Sequence, residues 1–503
     1  MSHLNRRQFL TLSAGSASIL MLSQCANPQL FAKPAKQPLS RPSTGSTLFI
    51  SSNGLLQVEL DARYEAIAMG DRRAYLMSYA GQIPGPRLEA RPGDTVRIRL
   101  TNRLDQPTNL HYHGLHISPT GKADNIFLHI PSGETLAYEF QIPKTHQAGM
   151  FYYHPHVHKS VAEQVFGGLG GIFVVRGALD EIPEVKAAQE VFLFLKDFEL
   201  DAQGRVPVPG HMELMQGREG ALITVNGRVN PQITIAKGGL LRLRLLNASA
   251  SRFYRLALAE HPFYLIATDG GAIAEPVELR ELLLAPGERA EVLVRGDRPP
   301  GQYRLMNLPY DRGGMMGMMG GRMGRGMMGR GMMHSNQRPQ NTPQLLATLA
   351  YQGTRAALPL PDKLLSVEAL PQPKTLRRIE MSMSMGMGMA GMGMAFLFNG
   401  KTFDPNRIDA PVQLGTVEDW ELVNSDPDRM DHPFHLHINP FQVISRNGKP
   451  EPYRAWKDTV LVRGGETVRI RIPFRDFTGK TVYHCHVLDH EDLGMMGIVD
   501  MQA

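Results

Sequence analysis

Residues 463–496 read RGGETVRIRIPFRDFTGKTVYHCHVLDHEDLGMM. After the Gly-Glu turn, polar and apolar side chains alternate from Thr467 to Ile472, the period of a half-buried strand. A short polar gap ends at Gly479, and a second apolar run leads through Tyr483 into His484-Cys485-His486. The same phrase occurs twice more: PSGETLAYEF before GMFYYHPHVH, and APGERAEVLV before GQYRLM. A unit of turn, strand, gap and tyrosine-bearing strand that recurs three times is an internal repeat. Other runs, such as DTVRIRLTN and LLRLRLLNAS, alternate in the same way, and long helical periodicity is scarce. The expectation is an all-β chain of three consecutive Greek-key β-sandwich domains at 45–178, 186–355 and 376–503.

The repeats also differ in an informative way. Where the outer copies carry His154, His156, His484 and His486 after the tyrosine, the middle copy carries Arg304, Leu305 and Met306. The middle domain therefore reads as a spacer, with any shared metal site between the first and third. Two segments depart from the strand pattern: a Met-rich loop at 313–334 and a Met-rich segment at 381–394, which together hold 16 of the 28 methionines. Glycine alternating with methionine predicts mobile loops in both places.

At 503 residues the chain has room for several domains and for a site buried between them. Its 42% hydrophobic and 20% charged fractions are those of a globular protein, and no run of about 18 apolar residues predicts a membrane span. The net charge of +6 owes much to Arg6, Arg7, Lys33 and Lys36, which precede the first acidic residue, so no nucleic-acid partner is implied. Residues 1–36, with twin arginines, Phe9, Leu10 and a short apolar run, predict an export signal read by the twin-arginine (Tat) machinery and a periplasmic location. Cys25 lies in LSQC, where cleavage and lipidation are the alternatives. Either leaves Cys485 without a cysteine partner in an oxidising compartment, so it needs another role.

Four histidine pairs suggest that role: His111 and His113, His154 and His156, His435 and His437, His484 and His486, each spaced i, i+2. In a strand that spacing points both rings to one face. Eight imidazoles suit a metal cluster, and imidazole alone serves copper, zinc, iron or nickel. Between His484 and His486, Cys485 must face the opposite side, where His432, His490 and Met495 can complete a His2Cys centre with an axial thioether, the ligand set of blue copper.

These motifs, in this order from about residue 45 to the carboxyl terminus, resemble the multicopper oxidase family, whose domains are cupredoxin-like. HYHG stands for the usual HWHG and FYYHPHVH for WYHSH, with the ligand positions unchanged. The resemblance implies four coppers per chain. His432, Cys485, His490 and Met495 would hold type 1 copper, His111 and His435 type 2, and His113, His154, His156, His437, His484 and His486 the type 3 pair. His116 and His158 are extra histidines outside this set. The activity implied is one-electron oxidation of a donor at type 1, transfer through Cys485, and four-electron reduction of dioxygen to water at the cluster. Asp124 and Glu491 match family positions credited with proton delivery, which oxygen reduction requires.

The donor has to be read from features near type 1. Thioethers favour Cu(I), so the Met-rich segments fit a collector of cuprous ions. Asp428 and Met430 match positions that contribute to a substrate copper site in bacterial copper-efflux oxidases, and Met383 and Met385 are candidates for the same site; Asp426 and Asp431 read as turn carboxylates. The expected protein is a monomeric, exported cuprous oxidase serving copper detoxification. The alternatives are a laccase for phenolic or aryl amine donors, a periplasmic copper-sequestering protein, and a cell-division scaffold that keeps the fold without its copper.

Overall fold

The computed structural model describes residues 46–314, 342–388 and 391–503. The expected export signal and the Met-rich loop from Met315 onward lie outside the described residues. Residues Ser46–Ala503 form one compact unit. Among the described residues, no helix is long and apolar enough to cross a membrane.

Among the described residues, six sheets form three pairs, each closed over one apolar core. In the first pair a five-stranded sheet runs in the order Leu48–Ile50, Gly85–Ala90, Gly171–Val175, Gly149–His154, His111–His113. It faces a four-stranded sheet of Arg72–Tyr79, Leu55–Met69, Thr95–Asn102 and Thr135–Gln141 across a core that includes Leu60, Ile98, Tyr153 and Phe173. The middle pair joins six strands to five around Leu243, Leu256 and Val292. In the third pair, strands Ala410–Gln413, Met496–Gln502, Gly479–Cys485, His432–Leu436 and Thr459–Val462 face a seven-stranded sheet across Trp420, Phe434 and Ile470. Parallel and antiparallel neighbours are mixed, so the chain crosses between sheets rather than meandering. Such two-layer packing lets each alternating strand bury one face.

Two local expectations are corrected. The described residues of 381–394 are strand, not loop: Thr375–Gly388 and Gly391–Phe398 are antiparallel strands, with Met381 opposite Phe398, Met383 opposite Phe396 and Met385 opposite Met394. A Met-Gly alternation has the strand period as well as loop composition, and the apolar alternate positions Met381 and Met383 are buried beside Phe396 and Trp420. Leu240–Asn247 alternates like a half-exposed strand, yet it is buried on both faces. Its Arg242 and Arg244 are compensated by Asp180, Glu190 and Glu291, with Arg242 to Asp180 at 2.7 Å and Arg244 to Glu291 at 2.7 Å.

Candidate metal centres

Pairing within the outer sheets sets the histidines side by side. His111 faces His154 across the first sheet, and His435 faces His484 across the third. All eight paired histidines are essentially fully buried, as are Asp124, Glu491 and Cys485. The sequence-predicted ligands fall into two groups on opposite faces of Tyr483–His486, as alternation requires.

In the smaller group, Cys485 Sγ lies 3.5 Å from His432 Nδ1 and 3.9 Å from His490 Nδ1. Both rings turn Nδ1 inward because Nε2 is engaged, His432 with Asp426 Oδ2 at 3.0 Å and His490 with the Met215 carbonyl at 3.1 Å. An Nε2–H that donates outward leaves Nδ1 as a free acceptor. Met495 is buried in the same loop, its N–H donating to the His490 carbonyl and its carbonyl accepting from Cys485 N–H. Phe396, from the Met-rich hairpin, stacks on His490 at 3.7 Å. Burial pushes the Cys485 thiol up, a cost that a bound cation reverses by coordinating the thiolate.

The larger group is made of imidazoles from the first and third sheet pairs. Nε2 of His484 lies 3.2 Å from Nε2 of His156 and 3.1 Å from Nε2 of His437, and His486 Nε2 lies 3.2 Å from His113 Nδ1. Nε2 of His111, His154 and His435 has no hydrogen-bond partner among the described residues, while the Nδ1 atoms of those rings meet Asp124, the Pro155 carbonyl and the Asp458 carbonyl. Ligand atoms of His111, His113 and His154, of His111, His435 and His437, and of His156, His437 and His484 each lie within 4.8 Å of one another, as do those of His432, Cys485 and His490. Burial, joined by neighbouring rings, lowers the pKa of His111, His154, His437 and His486 well below the usual imidazole value. Buried, neutral nitrogens that converge without partners are costly unless they bind something, and they are the protonation state a metal needs. The donor set therefore fits copper at both centres.

Asp124 accepts from Tyr112 N–H at 2.9 Å and lies 2.9 Å from His111 Nδ1. Burial raises its carboxyl to about 7, the Tyr112 N–H opposing in part. Glu491 is likewise raised to about 7 by burial, with His156 opposing. One Glu491 oxygen sits 2.8 Å from His484 Nδ1, although that nitrogen directs its bond to the Cys485 carbonyl at 3.1 Å. Both carboxyls thus touch rings of the cluster.

Three family models described as multicopper oxidase match residues 61–179, 195–323 and 371–502. The chain belongs to the multicopper oxidase family. A curated member, multicopper oxidase mco of Staphylococcus aureus, is 30% identical over 428 residues, 84% of this chain and 83% of that protein. Cell division protein FtsP of Gallibacterium anatis is 28% identical over 515 residues, covering 100% of both chains. Among solved structures, a multicopper oxidase from Campylobacter jejuni described as a metallo-oxidase superposes with TM-score 0.77 at 31% identity, over 91% of this chain and 96% of that one. A laccase-like multicopper oxidase CueO from Ochrobactrum sp. superposes with TM-score 0.75 at 26% identity, over 92% of this chain and 100% of that one. The family relation accounts for the cupredoxin-like sheet pairs and implies copper as the cofactor.

The other candidates fall around this multicopper oxidase site. His116 bonds the Ile438 carbonyl and Asp476, and His158 packs on Phe403; neither joins a ligand group among the described residues. Met430 and Met383 are buried, Asp428 is partly exposed, and Met385 has its place in the hairpin register opposite Met394. Asp426 is more than a turn carboxylate, since it anchors His432, whereas Asp431 accepts from Tyr310 OH at 2.6 Å and Gly464 N–H at 2.9 Å. Sequence reading missed Asp458, whose Oδ1 lies 3.0 Å from His113 Nε2. Burial pushes its carboxyl up, but Arg289 and His113 outweigh this and hold it well below the usual range.

Proposed function

We propose that this multicopper oxidase oxidises Cu(I) beside His432 and His490 and reduces dioxygen to water among the eight paired histidines, in the service of copper detoxification. Bound copper would supply one-electron acceptance at His432, Cys485, His490 and Met495, and four-electron reduction of dioxygen at a three-copper cluster, four ions per chain in all. Cys485 places its sulfur in one centre while its chain neighbours His484 and His486 belong to the other, which makes the tripeptide a short covalent bridge. Asp124 and Glu491 hold protons against cluster rings, and burial of the whole set keeps bulk water away.

The observation that carries Cu(I) as donor is the placement of methionine-bearing chain on the type 1 face. The hairpin of Met383 covers His490 through Phe396, Met383 and Phe396 being directly paired. Gly314, where the first Met-rich run begins, donates its N–H to the Asp428 carbonyl at 3.0 Å, and Asp431 N–H donates to the Arg312 carbonyl at 2.8 Å. Asp428 and the buried Met430 thereby lie against the point where the first Met-rich run begins, and a carboxylate with a soft thioether is a pairing able to take up Cu(I) and release Cu(II). The metallo-oxidase description of the Campylobacter jejuni relative supports the same reading. Asp428→Ala or Met430→Leu should weaken cuprous oxidation while sparing organic dyes; equal loss of both activities contradicts it.

The laccase reading draws on the laccase-like relative from Ochrobactrum sp., with the hairpin then only restricting access. The FtsP relatives favour a scaffold role instead, which copper content tests: about four ions per chain supports the oxidase, and none supports the scaffold. The leading residues support export by the twin-arginine route to the periplasm, where cuprous ions would be met.

A further inference from the structure

Where the outer repeats have Thr135 and Thr467 after the Gly-Glu turn, the middle repeat has Arg289. That turn is no mere spacer, because a Cβ built on Gly287 would lie 2.8 Å from His486 Nε2 and 2.9 Å from His113 Cε1. The middle domain therefore touches the cluster. Arg289 is fully buried and donates to all three sheet pairs: Nε to the Met150 carbonyl at 3.1 Å, Nη1 and Nη2 to the Gly287 and Asp269 carbonyls, and both to the Asp458 carboxylate, at 2.7 and 2.5 Å.

Asp458 in turn faces His113, whose Nε2 lies 3.0 Å from Oδ1 and 3.1 Å from Thr459 Oγ1. A ring whose Nε2–H is so engaged presents Nδ1 inward, toward His486. His111, His154 and His435 do the reverse, engaging Nδ1 and presenting Nε2. His113 is thus inverted relative to these three, and the group that inverts it is held by a bidentate arginine from another domain. A fork of this kind fixes the orientation of a carboxylate where a lysine fixes only a charge.

We propose that Arg289 is a positioning residue of the metal cluster, supplied by the middle domain: it holds Asp458 so that His113 offers Nδ1 rather than Nε2. The inference rests on the copper reading given above. Partners that orient ligating histidines typically change metal affinity by roughly 10–100-fold when removed.

The test compares copper-loaded wild type with Arg289→Met, Arg289→Lys and Asp458→Asn, by copper retained per chain during dialysis against graded chelator. Blue absorption reports type 1, and near-ultraviolet absorption with electron paramagnetic resonance reports the cluster. The expected result is cluster copper held roughly 10–100-fold less tightly in Arg289→Met and Asp458→Asn, with the blue absorption retained. Arg289→Lys, which keeps the cation but loses the fork, should also release cluster copper first, and it decides the matter if Arg289→Met does not fold. Full cluster copper with unaltered spectra in a folded Arg289 variant would overturn the proposal. So would parallel loss of blue and cluster copper, which would make the pair only a clamp between domains. Absence of copper from the wild type would refute the copper reading itself, and the proposal with it.

Discussion

Gly287→Ala is the substitution whose cost can be worked most directly from the geometry. Gly287 sits at φ +81°, and its missing Cβ would meet His486 and His113 at 2.8 and 2.9 Å. Gly448, at φ +76° with nothing within 4 Å, is a control with the same backbone strain and no neighbour. A non-glycine residue in the left-handed region costs about 1–2 kcal/mol, which both alanines incur. Only Gly287→Ala adds overpacking, about 1–3 kcal/mol, because the rings cannot recede without loosening the bond of His113 to Asp458. The expected loss is therefore about 2–5 kcal/mol for Gly287→Ala against about 1–2 for Gly448→Ala, measured as the shift of the unfolding midpoint in the metal-free proteins. Copper loading should separate them further, since Gly448→Ala keeps a full complement and Gly287→Ala loses cluster copper while staying blue. If the two variants match in both midpoint and copper content, the packing of the middle domain on the cluster is wrong.

Other perturbations test other parts of the site. Asp426→Asn replaces a charged acceptor for His432 Nε2 by a neutral one, a change of about 1 kcal/mol; the type 1 reduction potential should move with the cluster spectra unchanged, and an unmoved potential would remove Asp426 as the anchor. Phe396→Leu removes the ring stacked on His490, so turnover of a bulky phenol should rise relative to Cu(I); unchanged selectivity would mean that the hairpin does not govern access. Asp124→Asn should slow oxygen reduction, and intact turnover would end its assignment to proton delivery. In the metal-free protein the same variant gives a pH signature. The folded carboxyl, raised from 3.8 to about 7, keeps a proton that the unfolded chain has already lost, so wild-type stability falls as pH rises through that window. Asp124→Asn lacks this loss and should gain about 2 kcal/mol relative to wild type between about pH 5 and about pH 7. A flat difference would mean that Asp124 titrates normally in the fold.

The convergence of the histidines was legible because two regularities coincide. Strand alternation makes every HxH pair point one way, and the triple repeat shows which copies carry the pairs and which does not. Cys485 followed from the same alternation, since a residue between two inward rings must face outward. The Met-rich hairpin was misread because methionine alternating with glycine carries the composition of a loop and the period of a strand, and burial of Met381 and Met383 decides for the strand. Arg289 and Asp458 stayed hidden for another reason: one is an ordinary charged residue at the start of a strand and the other sits in the bend between Trp456–Lys457 and Thr459–Val462, and their meaning lies in a contact 169 positions apart. The substitution of Arg289 for the threonine of the other two repeats was the signal available. Asp426 was read as a turn residue because it is one, its second carboxylate oxygen reaching His432 only in the folded turn.

The central claim is tested most directly by oxygen uptake of the copper-loaded protein with chelated Cu(I) and with a bulky phenol as alternative donors, alongside copper per chain. The account predicts about four coppers, rapid uptake with Cu(I) and slow uptake with the phenol. Rapid uptake with the phenol alone would contradict the cuprous assignment, and no uptake with either donor would contradict the oxidase itself.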